Sequence, residues 1–177
     1  MSFPPGGLLG DKVRLEPFGE QDISPTYLSW LNDPHVVRFS NQRFRSHTRE
    51  SSAQYLRGFD SGPNLFLLVR DAASSMPVGT MTAYVSVEHR TADIGLMIGD
   101  KTIWGKGFGL DAWKTLLDYL LSQASMRKVT GGTLACNVGM RTVMERAGMH
   151  LEATRKAQEL VEGNPQDILL YARFKTS

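Results

Sequence analysis

Residues 102–121 read TIWGKGFGLDAWKTLLDYLL, with three glycines (Gly105, Gly107 and Gly109) running straight into a helical pattern. Ala112, Leu116, Leu117, Leu120 and Leu121 recur at helical spacing, so a helix begins in or just after the glycines. Glycine within a helix costs roughly 1 kcal/mol relative to alanine, so helix formation itself does not ask for them. A helix start does leave several backbone N–H groups without intrahelical acceptors, and it carries about half a positive charge. Bare backbone there lets an anion approach those donors, and Lys106 adds a mobile cation beside them. The stretch is therefore a phosphate-binding turn or, in the plainer reading, a glycine-rich turn with no ligand.

What surrounds it decides the fold class. Residues 65–70 (LFLLVR) form a short continuous apolar run of the kind found in a strand buried on both faces. Residues 78–90 and 92–99 also have strand composition, so three strands, read as an antiparallel meander, precede the glycines. Residues 13–17 alternate as a first strand. Pro25 suits the first turn of a helix carrying Tyr27, Leu28 and Leu31. Residues 32–39 (NDPHVVRF) read as a turn and a second short helix, and Thr48 caps another. After the glycine-led helix come a strand at 128–135, a helix at 138–147 stopped by Gly148, and strands near 149–157 and 167–174 around the turn EGNPQ. The order β-αα(α)-βββ-α-β-α-ββ gives one α/β (α+β) domain over residues 11–177, with residues 1–10 a loose tail rich in Gly and Pro.

Composition narrows the function classes. With 177 residues, 41% of them hydrophobic, the chain suits one domain with its own core. Its 20 basic and 18 acidic residues nearly cancel, which gives no general case for nucleic acid or an anionic membrane, so any anion site is local. The single cysteine, Cys136, permits no internal disulfide and reads as a packing residue in a reducing compartment. The first residues lack the basic start and apolar stretch of a signal peptide, and no window approaches a spanning helix, so a cytoplasmic location is expected. The four histidines show no metal-ligand spacing, and no metal is expected.

A dinucleotide fingerprint fails because Leu110 stands where its last glycine belongs, and a P-loop fails because Gly107 follows Lys106. The segment ADIGLMIGDKTIWGKGFGLDA instead resembles the acetyl-CoA motif Arg/Gln-x-x-Gly-x-Gly/Ala of the GNAT N-acetyltransferases. Trp104 takes its first position, and Gly107 and Gly109 its small ones. Trp there resembles the RimJ/RimL-like branch, which includes nucleotide-amino-sugar acetyltransferases. So do NVGMRTVMERAGM (137–149), YLSWLNDPHVVRFS near the start and ELVEGNPQDILLYARF at the end. The resemblance implies a mixed, mostly antiparallel sheet, flanked by helices, whose fourth and fifth strands splay apart. It implies that acetyl-CoA binds as co-substrate on the loop that Trp104 opens, its pantetheine arm along Leu96, Met97 and Ile98 and its diphosphate on the amides of Gly105, Lys106, Gly107, Phe108, Gly109 and Leu110. Asn137 matches the family asparagine that bonds the arm, and it also suits a plain helix cap. Met140 stands where that branch often has Ser, and a thioether has no proton to give a departing thiolate, so either another donor such as a water or a tyrosine serves or the thiolate leaves unaided.

Amine acetylation needs a neutral amine, a donor to the acetyl oxygen and a proton for the thiolate. A backbone N–H of Met97 or Ile98 is the donor. Asp93, Glu88 and His89 are the base candidates; Asp93 matches an acidic family position and also suits a solvated strand end. Asp33, His35, Arg38, Asn41 and His47 lie in the region that, by resemblance, borders the acceptor. A polar cluster there suits a hydroxyl-rich or phosphorylated acceptor, and an exposed helix–loop face is the plainer reading. The expected activity is direct acetyl transfer to a primary amine: an amino sugar, a polyamine, a small metabolite or a protein N-terminus. No nucleic-acid or membrane partner is expected, and a homodimer is left open. A non-catalytic acyl-CoA-binding domain and a nucleotide-binding interaction domain are the rival readings.

Overall fold

The computed structural model describes residues 3–176. Among these residues eight strands form one open sheet: β1 (Leu8–Leu9), β2 (Val13–Pro17), β3 (Leu65–Asp71), β4 (Pro77–Ser86), β5 (Thr91–Ile98), β6 (Lys128–Leu134), β7 (His150–Val161) and β8 (Asn164–Phe174). Their spatial order is β1-β2-β3-β4-β5-β6-β8-β7. Four α-helices flank it: α1 (Pro25–Leu31), α2 (Arg49–Arg57), α3 (Phe108–Ser122) and α4 (Val138–Arg146). None of these helices is long and apolar enough to cross a membrane.

Strand β3 shows why its continuous apolar run is needed. Phe66 and Leu68 pack with Phe18, Ile23, Tyr27 and Trp30 on the α1/α2 face. Leu67 and Val69 pack on the opposite face against the layer of α3 and α4. Alternate side chains of a strand point to opposite faces, so a strand covered on both sides must be apolar at every position. On the α3 face Trp113, Leu116, Leu117 and Leu120 are almost fully buried. Burying each such side chain contributes about 1.5–3 kcal/mol, which is what holds α3 to the sheet.

Three local readings change. Residues 33–40 form successive turns rather than a second helix. The Asp33 carboxylate accepts the His35 N–H at 2.9 Å, and Pro34 has no N–H to give, so local bonding wins over a helical ladder. The last hairpin turn is tighter than EGNPQ: Glu162 and Gly163 both take positive φ (51° and 80°), as a two-residue hairpin turn requires. Leu8 and Leu9, inside the segment expected to be a loose tail, pair with β2, and Leu8 is buried; residues 1 and 2 of that tail lie outside the described residues.

All neighbours in the sheet run antiparallel except β5 and β6. These two pair in parallel only at Thr91–Lys128, Ala92–Val129 and Asp93–Thr130. Beyond that point β5 stays with β4, and β6 stays with β8. Residues 94–98 and 131–134 therefore face each other across a gap in the sheet. Because β1 adds a strand, β5 and β6 are the fourth and fifth strands of the expected splay. The Trp113 ring packs onto β6 where the gap opens: a Cβ at Gly131 would sit 2.7 Å from it.

Candidate active site

The gap opens into a cleft of about 930 Å³ that runs from one face of the sheet to the other. On the α3 face its walls are Gly107, Gly109 and Leu110 with one side of α4; on the α1/α2 face they are Tyr27, Val36, Phe39, Tyr55 and Phe66.

The backbone of β5 is divided by ladder alternation. Gly99 N–H donates to the Val78 carbonyl at 2.9 Å, which makes Ile98–Gly79 a pair without mutual hydrogen bonds. Groups of alternate residues then face opposite neighbours. Met97 and Gly95 spend theirs on β4, whereas Leu96 and Ile98 turn theirs toward the gap. Of the two expected donors to an acetyl oxygen, Ile98 alone has its N–H on the open side. Its carbonyl accepts the Trp104 indole N–H at 2.9 Å, so that side chain ties the glycine loop to the end of β5.

The glycines have different tasks. Gly105 and Gly107 take φ of +75° and +87°, which other residues adopt only at a cost. Gly107 is the N-cap of α3 and offers no side-chain cap. The first helical bond is Asp111 N–H to Gly107 carbonyl, 3.0 Å, so the N–H groups of Phe108, Gly109 and Leu110 precede the ladder and have no helical acceptor. Lys106 spends its own N–H on Ile103 at 3.1 Å. Gly109 is helical, and a Cβ there would meet Leu96, Ile98 and Val143 at 3.5–3.9 Å, filling space inside the cleft. Bare amides at a dipole's positive end beside a glycine-lined slot fit a diphosphate followed by a narrow arm.

Asn137 caps α4, its Oδ1 accepting from Met140 N–H at 3.2 Å, and both residues line the cleft. The Asn137 amide nitrogen has no partner among the described residues, so capping and ligand binding do not compete. Gly139, Thr142, Val143 and Arg146 also line the cleft. Their spacing is that of one helical face, a signal present in the sequence and not used. Lys12 has no such signal. It sits on the β1–β2 turn with Nζ 5.7 Å from the centre of the Phe108 ring, and its Cε lies 3.6 Å from a Cβ built on Gly107. A second cation thus stands at the start of α3.

The proton-handling candidates are placed less favourably. Glu88 and His89 lie in the β4–β5 turn, and neither they nor Asp93 line the cleft. Asp93 stands where β5 and β6 are still paired, and its carboxylate accepts the Thr130 hydroxyl at 2.6 Å. The residue is exposed at the surface while its neighbours crowd the carboxylate; this desolvation raises its pKa against the opposing Thr130 bond. Tyr27 and Tyr55 do line the cleft. Burial pushes Tyr27 up to about 12. Tyr55 is raised further, by burial and then by its 2.9 Å bond to the Tyr84 hydroxyl.

Of the five polar residues expected around the acceptor, the structure brings only His35 to the cleft wall. Asp33 pairs with Lys101, whose hydrogen bond holds its carboxyl below the ordinary range. Arg38 bonds Glu162 at 3.1 Å and Asn41 bonds Glu159 at 3.5 Å, both on the β7–β8 hairpin. His47 donates its N–H to Asn32 at 2.9 Å, and its ring lies 3.3 Å from the Gln42 carbonyl. These side chains dock the 33–47 segment onto α1 and the hairpin.

Residues 12–150 match the acetyltransferase (GNAT) domain family, a span that contains the split strands, the glycine loop and α4. This chain belongs to the GNAT acetyltransferase family. Among curated proteins it is similar to a probable N-acetyltransferase, YjcK of Bacillus subtilis, at 23% identity over 121 residues. That match covers 67% of this chain and spans 66% of the relative's length. In structure this GNAT domain is similar to RimL, a ribosomal L7/L12 alpha-N-protein acetyltransferase in complex with coenzyme A, with TM-score 0.82, 17% identity and 93% and 94% of the two chains covered. It is also similar to the spermidine N-acetyltransferase of Vibrio cholerae in complex with CoA and spermine (TM-score 0.80, 17% identity, 93% and 96% covered). The microcin C7 self-immunity acetyltransferase MccE, in complex with acetyl-CoA and AMP, matches with TM-score 0.82, 18% identity and 98% of both chains. At these identities the neighbours show the shared fold.

Proposed function

We propose that this GNAT domain transfers an acetyl group from acetyl-CoA directly to a primary amine. The observation that carries the reading is the gap between β5 and β6, which leads from the uncapped start of α3 through the sheet to a second chamber. Acetyl-CoA supplies the activated acyl group. The amides of Phe108, Gly109 and Leu110, with Lys106 and Lys12, hold its diphosphate; Leu96, Ile98 and Asn137 flank its arm. Ile98 N–H donates to the acetyl oxygen as negative charge grows there, a preorganised donor that needs no rearrangement. His35, the titratable base on the chamber wall, takes the amine proton, with water-relayed transfer to Asp93 as the competing route. The C–S bond then breaks, and Tyr27 gives the sulfur the proton that Met140 lacks while regaining one from solvent, so that the phenolate its burial disfavours does not accumulate. The candidate acceptors are an amino sugar, a polyamine, a small metabolite or a protein N-terminus.

Met140 favours one rival, a domain that binds acyl-CoA without turning it over. Release of free thiol from acetyl-CoA in the presence of an amine panel separates the two. Amine-dependent thiol release supports the enzyme; tight acetyl-CoA binding with no release from any amine supports the binder.

A further inference from the structure

We infer that the acceptor is a small amine carried on an apolar, ring-sized body with no second positive charge; this rests on the acetyl-transfer reading above. The chamber on the α1/α2 face is walled by Tyr27, Val36, Phe39, Tyr55 and Phe66, and no Asp or Glu lines any part of the cleft. The acids nearby are already matched: Asp33 with Lys101, Glu159 with Arg43 at 3.8 Å and Glu162 with Arg38 at 3.1 Å. A polyamine brings at least one ammonium beyond the reacting nitrogen. Against an aromatic wall with no carboxylate to receive it, that charge gives up hydration and recovers only the cation–π attraction of the rings, with no ion pair.

A hydroxyl-rich sugar meets a related obstacle. Four of the polar side chains that a sequence reading offers it (Asp33, Arg38, Asn41 and His47) are bonded within the fold. What the chamber does provide is a polar minority suited to one amine, with His35 and the Tyr27 hydroxyl among it, and flat apolar surfaces for the rest of the molecule. Aromatic walls reward a ring through area burial and through edge and stacked contacts. Phe59, Phe66, Tyr55 and Tyr84 already form one such network, with ring centroids 5.2–5.8 Å apart.

The test compares 2-phenylethylamine, spermidine and glucosamine on the full chain, by thiol release and by equilibrium binding to the CoA-loaded protein. The expected result is a kcat/KM for 2-phenylethylamine at least tenfold above the other two, with binding in the same order. Gln42 lines the chamber, and its side chain makes no hydrogen bond among the described residues, so Gln42→Glu adds a carboxylate without breaking a contact. That variant should narrow the spermidine deficit by about tenfold. Phe39→Ser should lower kcat/KM for 2-phenylethylamine at least fivefold at an unchanged melting temperature. Spermidine or glucosamine equalling 2-phenylethylamine, or none of the three binding, overturns the inference. Ordered binding without any thiol release leaves the inference standing and removes the acetyl-transfer reading instead.

Discussion

The Asp111 carboxylate accepts the backbone N–H of Lys12 at 2.8 Å, together with those of Val13 at 3.0 Å and Asp11 at 3.2 Å. One side chain in the first turn of α3 therefore fixes the β1–β2 turn, and with it the cation that stands over Phe108. Asp111→Ala leaves three N–H groups without their acceptor, at a cost of about 1–3 kcal/mol, and also lets Lys12 drift. Urea denaturation should show that loss, and KM for acetyl-CoA should rise. Lys12→Ala should raise KM similarly with no change in the denaturation midpoint. A Lys12→Ala protein with wild-type KM would remove Lys12 from the cofactor site.

Two glycines of the loop should separate stability from binding. Gly107→Ala forces a side chain into a left-handed conformation, which costs roughly 1–2 kcal/mol. Gly109→Ala meets only ordinary contacts, and alanine is the better helix former by up to about 1 kcal/mol. It should melt at or above the wild-type temperature and still bind acetyl-CoA at least tenfold more weakly, because the added methyl stands in the slot. Unchanged affinity in isothermal titration would move the cofactor arm elsewhere.

A pH–rate comparison decides the base. His35→Gln should lose about 10²–10⁴-fold in turnover near neutral pH and recover part of it at high pH, where the acceptor amine is already neutral. Asp93→Asn, outside the cleft lining, should track wild type. If the two variants exchange behaviour, the proton leaves by way of Asp93.

Tyr27 predicts an alkaline signature. Its folded pKa of about 12 lies above the ordinary 10, so the native state holds the phenolic proton more tightly than the unfolded chain does. Stability from this group is complete below pH 10 and declines as pH rises toward 12, by at most ~3 kcal/mol. Tyr27→Phe should flatten the fall in urea midpoint over that window relative to wild type. Near neutral pH the same variant should lower kcat and leave KM for acetyl-CoA in place. A variant with normal kcat would return the thiolate proton to solvent.

Much of this domain is legible in the residues by themselves. The apolar run of β3, the Thr48 cap with its Ser51 N–H bond, and Gly148 at φ +77° all act over a few residues, where sterics and hydrogen-bond counting decide the outcome. The glycines ahead of α3 belong to the same class. Residues 33–40 misled because Asp33 bonds its own neighbour, a local competition that periodicity does not register.

Pairings made across long stretches of chain were decided only by the tertiary structure. Whether Arg38 faces an acceptor or Glu162 depends on where a hairpin more than a hundred residues later comes to rest. The same holds for Lys12 beside Gly107, and for the N–H of Ile98 rather than Met97 facing the gap. An ion pair or a ladder register satisfies its groups equally well with any partner of the right chemistry, so the residue types alone do not select one. Packing selects it: once Trp113 seats on Gly131 and β5 leaves β6 after Asp93, those groups have one geometry left. The sequence thus determined that a glycine-rich turn leads a helix in a mixed sheet, and the tertiary structure decided which side chains share the cleft with it.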